Sequence, residues 1–177
     1  MNEGHLIAVS AIGNDRPGIV AGVTKVLYEA GVNLEDATST ILRGHFTMTL
    51  VVRAPVDVDA GDLEERLAGV AENLGLVVTA RPVDDAQLDV PQPTHMVSVY
   101  GTDRPGIVFR VTDVLARRGA NVTDFTSRMI GNAASPVYAV MLEVVSDDAE
   151  GLTADLESLG GELDVDVSIH PIEADVL

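Results

Sequence analysis

The sequence predicts an α+β protein built twice over from one strand–helix–strand–strand–helix–strand unit. Three observations carry that reading. The hexapeptide Asp15-Arg16-Pro17-Gly18-Ile19-Val20 returns as Asp103-Arg104-Pro105-Gly106-Ile107-Val108, 88 residues later. The register then holds without a gap, with 16 identities across the 27 positions from Gly13 to Ser39. In each copy, stretches with strand-like apolar patterning are interspersed with stretches whose apolar residues recur at helical spacing.

The elements follow in order. Leu6–Ile12 is a short apolar run ending at Gly13, the pattern of a buried strand. Asp15 stands where a helix cap is expected and Pro17 suits a first turn, where a missing N–H costs nothing. Val20, Val23, Leu27 and Ala30 share one helical face, and Gly31 supplies a stop. Asn33–Leu42 and His45–Arg53 read as two strands joined by a tight turn at Arg43-Gly44, and Pro55 ends the hairpin. Leu63, Leu67, Val70, Ala71 and Leu74 mark a second amphipathic helix closed by Gly75, and Leu76–Arg81 is the last strand.

The second copy repeats this order: strand Met96–Tyr100, helix Gly106–Arg118, then a hairpin of Asn121–Ile130 with Pro136–Val145. Gly131 to Ser135 make a longer hairpin tip. Ser146 is placed to cap a helix carrying Leu152, Leu156 and Leu159, and Leu163, Val165, Val167 and Ile169 alternate with polar residues in a final strand. Three acids and Pro91-Gln92-Pro93 between the copies have the chemistry of a linker. The expected organisation is domain 1 at 1–82, linker at 83–93 and domain 2 at 94–177. A βαββαβ unit of roughly 80 residues is the ferredoxin-like arrangement, a four-stranded antiparallel sheet with two helices on one face. Its other face meets solvent, a partner or a second sheet. Strands such as Phe46–Val52 carry apolar residues in both alternating sets, which favours partner contact, with the sister domain nearest.

Composition bounds the function. At 46% apolar and 22% charged residues, the chain has ample core material and is not a disordered tract. It contains no cysteine, which excludes disulfide scaffolds, thiolate zinc sites and thiol nucleophiles. No uncharged apolar run approaches the roughly 18 residues of a spanning helix, and Met1 to His5 lack the basic region of a secretory signal. A cytoplasmic protein without membrane attachment is expected. The net charge is −17, shared as −7 over residues 1–88 and −10 over the rest, so neither half offers the basic surface that nucleic acid requires.

Signals for catalysis are poor. His5, His45, His95 and His170 are scattered, and no HxxxH pair, Gly-x-Ser-x-Gly elbow or GxxxxGK[ST] loop occurs. Acids at 57–65 and 147–150 lie at starts of second helices, where they complement the dipole. No metal or cofactor is expected. The repeated Gly-x-Asp-Arg-Pro-Gly-Ile-Val element instead sits where the first strand turns into the first helix. A helix start presents unpaired N–H groups and a positive dipole end, which attract carboxylates, and glycine permits close approach. The alternative is that Gly and Pro only shape a sharp turn. Asn33 and Asn121, each after a helix-ending glycine, either bond locally in a turn or offer an amide across an interface. Arg16 and Arg104 either pair a ligand carboxylate or bridge to a nearby acid, the structural role being favoured. Ala21 and Gly22 become Phe109 and Arg110 in the second copy, so two sites would not be equivalent.

The Asp-Arg-Pro-Gly-Ile-Val signature, then a helix, then Gly-x-Asn, resembles the ACT domain, and the resemblance covers nearly the whole chain. It implies ferredoxin-like regulatory modules that pair into a joint antiparallel sheet and bind a small amino acid at domain interfaces. The residues so implied are Asp15, Arg16, Pro17, Gly18, Ile19 and Asn33, with Asp103, Arg104, Pro105, Gly106, Ile107 and Asn121. Two such repeats with no other domain resemble the glycine-cleavage-system transcriptional repressor family. The function implied is a non-enzymatic sensor that binds a small amino acid and modulates a protein partner, a transcription factor or an enzyme, with a homodimer among the assemblies open to it. A ligand-free interaction regulator and a regulatory subunit of an amino-acid-metabolising enzyme are the alternatives. Replacing Gly18 or Gly106 by valine is expected to weaken binding with less effect on folding.

The charge distribution makes one prediction directly. Purified protein should give no competitor-resistant mobility shift with its own genomic promoters even at low salt, because so few cations face so many acids.

Overall fold

Each apolar run finds its partner through register. Strand β1 (His5–Asn14) lies between β3 (His45–Ala54) and β4 (Leu76–Val83), with β2 (Asn33–Leu42) outside β3, so the sheet order is β2-β3-β1-β4. All pairings are antiparallel. Helices α1 (Ile19–Glu29) and α2 (Ala60–Leu74) complete the first unit. The second repeats it as β5 (His95–Gly101), α3 (Ile107–Arg117), β6 (Asn121–Asn132), β7 (Ser135–Val145), α4 (Ala149–Leu163) and β8 (Val165–Pro171), in sheet order β6-β7-β5-β8. The computed structural model describes residues 4–84, 91–132 and 135–172. Contacts divide the chain into the units Met1–Leu88 and Asp89–Leu177. Most of the expected linker, 85–90, lies outside the described residues. Of the longer hairpin tip expected at 131–135, Gly131, Asn132 and Ser135 are instead paired strand residues, and 133–134 lie outside the described residues.

The core of the first unit forms where alternate strand residues meet helical faces. Ile7, Val9 and Ala11 of β1 and Met48, Leu50 and Val52 of β3 are buried against Ile19, Val23 and Leu27 of α1 and Leu63 and Leu67 of α2. Each of these side chains larger than alanine contributes about 1.5–3 kcal/mol by leaving water. In the second unit Val97, Val99, Leu142 and Val144 meet Ile107, Val111, Leu115, Leu152 and Leu156 in the same way. The outward set of β3 corrects one expectation. It reads Thr47, Thr49, Val51, so only one of its three central members is apolar, and the run of Val51-Val52 straddles the two faces.

Local chemistry sets the boundaries. Gly31 and Gly119, both at φ 69°, end α1 and α3. Val32 N–H reaches the Leu27 carbonyl and Gly31 N–H that of Tyr28, while Ala120 and Gly119 repeat the pattern onto Leu115 and Ala116, two Schellman closures made wholly by backbone. Arg43 and Gly44, at φ 49° and 82°, form the two-residue hairpin turn, the positive φ at both centres matching the strand twist. Asp59 and Asp62 build a reciprocal capping box on α2. For α4 the expected cap, Ser146, is displaced. Asp148 immediately precedes the helix and accepts from Gly151 N–H at 3.0 Å, while the largely buried Ser146 hydroxyl accepts from Asp148 N–H.

The two units differ in how their helices are tied. In the second, Arg118 at the end of α3 bonds Asp148 at 3.0 Å and Asp155 at 2.8 Å, and Arg110 bonds Glu162, so α3 is bridged to α4 at both ends. Position 22 of the first unit, matching Arg110, is a glycine whose added Cβ would lie 2.8 Å from Val70, so α1 and α2 pack there by close approach instead. The Arg118 guanidinium holds the Asp155 carboxyl below its ordinary value, chiefly by the hydrogen bond. A lowered folded value stabilises the native state above the unfolded value near pH 4 and loses that contribution as pH falls through the folded value. Asp155→Asn should therefore lower the melting temperature at neutral pH, and the two melting curves should converge as the pH falls through the lowered value of the folded state.

Candidate functional site

The β1–α1 loop is an exposed turn built on a buried anchor. Asp15, Arg16, Pro17 and Gly18 are exposed, while Ile19 packs into the core. Asp103, Arg104, Pro105 and Gly106 repeat the exposure, and Ile107 repeats the anchor. The side chains of Ile19 and Ile107 thus belong to folding, and what those residues can offer a ligand is their backbone N–H.

The helices start later than the sequence suggested. Gly18 and Gly106, at φ 96° and 97°, are the caps, and no side chain caps either helix. Asp15 lies three residues upstream of the cap, its N–H bonded to the Gly44 carbonyl at 2.8 Å, so it extends the strand rather than opening the helix. Pro17 precedes the helix because a left-handed glycine must intervene to swing the chain from strand into helix. The first helical bonds run from Gly22 N–H to Gly18 and from Arg110 N–H to Gly106. Helix geometry therefore leaves the N–H groups of Ile19, Val20 and Ala21, and of Ile107, Val108 and Phe109, without intrahelical acceptors. A Cβ built on Gly18 or Gly106 meets no atom within 4 Å, so solvent or a ligand reaches this backbone directly. Gly13 and Gly101 serve a different purpose. An added Cβ would lie 2.6 Å from the Gly75 carbonyl or from Val165, so they admit the neighbouring strand.

The arginines of the two loops part company. Arg104 bonds the Leu163 carbonyl and the Asp164 carboxylate, each at 3.3 Å, which fastens its loop to the end of α4. Arg16 makes no hydrogen bond or ion pair among the described residues. The Asp15 and Asp103 carboxylates likewise make none among the described residues.

Asn33 and Asn121 are exposed at the first positions of β2 and β6, and among the described residues neither amide makes a hydrogen bond. Their local-turn role is taken by the backbone closures at Gly31 and Gly119. Register places them far from their own loops. Asn33 lies opposite Arg53, which faces Leu6, whereas the loop leaves the sheet beyond Gly13. Seven strand positions span about 24 Å. A single free amino acid cannot touch both within one unit.

The exposed apolar residues were the part sequence periodicity missed. All ten positions of β2 are exposed, including Leu34 and Ile41, which share the helix-side face with Val52 and Phe46. Val20 on α1 is exposed beside the loop, and the second unit exposes Phe109, Phe125 and Met129 at related places. Helical spacing puts Val20 on the buried face of α1 with Val23 and Leu27, and the structure corrects this by exposing it; for β2 spacing assigns no face, and two helices are too narrow to cover the fourth strand. Among the described residues no group of three or more potential metal ligands converges, and of the acids that start α2 and α4, Asp59, Asp62 and Asp148 act as caps. Among them, too, no helix is long and apolar enough to cross a membrane.

Comparison with known proteins adds the lineage. A family model described as the ACT domain matches residues 5–81 and again 94–170. A UPF0237 protein of Methanopyrus kandleri is 44% identical over 77 residues, covering 43% of this chain and 86% of its own. The glycine cleavage system transcriptional repressor of Escherichia coli K12 is 24% identical over 97% of this chain and 93% of its own. A crystal structure of an unknown protein from Galdieria sulphuraria superposes with a TM-score of 0.77 at 24% identity, covering 97% of this chain and all of that one, a likeness of fold.

The loop backbone makes its own prediction and revises the expected effect of valine. At φ near 96° any side chain is strained even in open space, by about 1–2 kcal/mol, and a β-branched one by more. Gly18→Ala and Gly106→Ala should each lower stability by about that amount in urea unfolding. Gly18→Asn should lose less, since asparagine tolerates the left-handed region.

Proposed function

Because the chain belongs to the ACT domain family, we propose that it is a non-enzymatic regulator that binds a small amino acid at its strand–helix loops and thereby changes its contact with a protein partner. The observation that carries this reading is the pair of open helix starts. At Gly18 and again at Gly106, unpaired N–H groups, a positive dipole end and an uncrowded backbone coincide. They suit a carboxylate. The amino group requires acceptors, which a helix start lacks, and an asparagine carbonyl from another unit supplies one.

That division of labour favours assembly. The exposed apolar residues on β2 and α1 support side-by-side pairing of units into a joint sheet, which would bring a loop of one unit to an asparagine of the other. Near full-length similarity to a glycine cleavage repressor supports a place in the transcriptional control of glycine metabolism, with a transcription factor as the partner. A net charge of −17 argues that such control acts through protein rather than by touching DNA. The reading places the protein in the cytoplasm, in domains spanning 1–82 and 94–177.

Calorimetry with glycine and the other common amino acids tests the proposal. Asn33→Ala and Asn121→Ala should each weaken affinity by about 1–3 kcal/mol while leaving the melting temperature nearly unchanged, since neither amide bonds within its own unit. The two sites should differ in affinity, because Arg104 is engaged by Asp164 whereas Arg16 is not so held. Absence of heat for every amino acid would overturn ligand binding and favour a ligand-free docking protein.

A further inference from the structure

The open face of the second unit's sheet, away from its helices and loops, carries a groove of about 400 Å³ whose walls include Met96, Tyr100, Arg128, Ile130 and Met141. Register arranges this face in three rows across the strands. The first runs Asp124, Glu143, Met96, His170; the middle runs Thr126, Met141, Ser98, Ser168; the third runs Arg128, Ala139, Tyr100, Asp166. Adjacent rows lie two residues apart, about 7 Å along the strands.

The first and third rows complement each other position by position: Asp124 to Arg128, Met96 to Tyr100, His170 to Asp166. Glu143 corresponds to Ala139, whose small side chain leaves room beside the guanidinium. We propose that this face is a self-complementary docking surface for a second copy of the chain, its two-fold axis running along the Thr126–Met141 row. Such an axis stacks two sheets about 10 Å apart with strands antiparallel and turns each first row over the partner copy's third row. Arg128 then lies against the other copy's Asp124 and Glu143, methionine sulfur against a tyrosine ring, and imidazole against a carboxylate.

Two further observations favour a second copy as the occupant. Asp124 and Glu143 are directly opposed on neighbouring strands, a repulsive placement, and neither carboxylate nor the Arg128 guanidinium makes an ion pair among the described residues. A facing copy supplies the missing counter-charges at both ends. The first unit shares the backbone but not the chemistry: its corresponding rows read Asp36, Val51, Ala8, Arg81 and Thr40, Thr47, Ile12, Val77. No acid there is turned onto a base by the same axis.

Sedimentation equilibrium of the full chain, with and without charge exchange, tests the proposal. The parent should dimerise, and Arg128→Asp and Asp124→Arg should each weaken the dimer about tenfold or more while leaving the far-ultraviolet circular dichroism of the folded chain unchanged, because both positions are exposed. An equimolar mixture of the two variants should recover a dimer, since each then presents the charge the other lacks. A monomeric parent, dimers indifferent to both substitutions, or a mixture that stays monomeric would overturn it; the first would leave the face to a small ligand or another protein.

Discussion

The register of the central strand governs the rest of each unit. β1 is held between β3 and β4, and β5 between β7 and β8, so a slip by one residue would turn Ile7, Val9 and Ala11 to the open face and bury Ala8, Ser10 and Ile12. The energetic stake is the whole core, since the helices find apolar partners in one register alone. The same register sets where the loop leaves the sheet, which end receives the asparagine, and which rows line the open face. Core and surface geometry are consequences of one pairing.

Within that shared frame the repeats have separated in surface chemistry. Gly22 lets α1 settle closely on α2, while Arg110 at the matching position crosses to Glu162. Arg16 stands at a loop with no partner among the described residues, whereas Arg104 fastens its loop to Asp164. These ion pairs are exposed and individually weak, so they do not explain why the second unit folds. At the loop the effect is to engage Arg104, whose counterpart Arg16 makes no such pair among the described residues. Two loops with one backbone therefore present different fields to an incoming anion.

Most of the fold was legible because it is written in periodicities that burial enforces. Strands and helices followed from apolar spacing, except that Leu163, read into the last strand, ends α4; the stops at Gly31, Gly75 and Gly119 followed from the need for positive φ, and the hairpin from Arg43-Gly44. What escaped was either local competition or tertiary extent. Asp15 resembles a cap, but its N–H is drawn to Gly44 by the hairpin, a partner 29 residues away in sequence that no local rule can see. Ser146 resembles a cap too, but Asp148 stands nearer the helix and its carboxylate is the stronger acceptor. The exposure of β2 depends on how far two helices reach across four strands. For the candidate site, the repeat marked the loops and asparagines, while the distance separating them appeared only with the register.

That distance has a thermodynamic consequence under the proposed function. A loop and an asparagine about 24 Å apart in one unit can hold the same small molecule only when contributed by different units. The ligand then binds the associated arrangement better than the separated one, and each reinforces the other by the same free energy. A regulator of this kind would read ligand concentration as the population of an interface, and the exposed apolar residues flanking β2 are the surface whose burial would register the change.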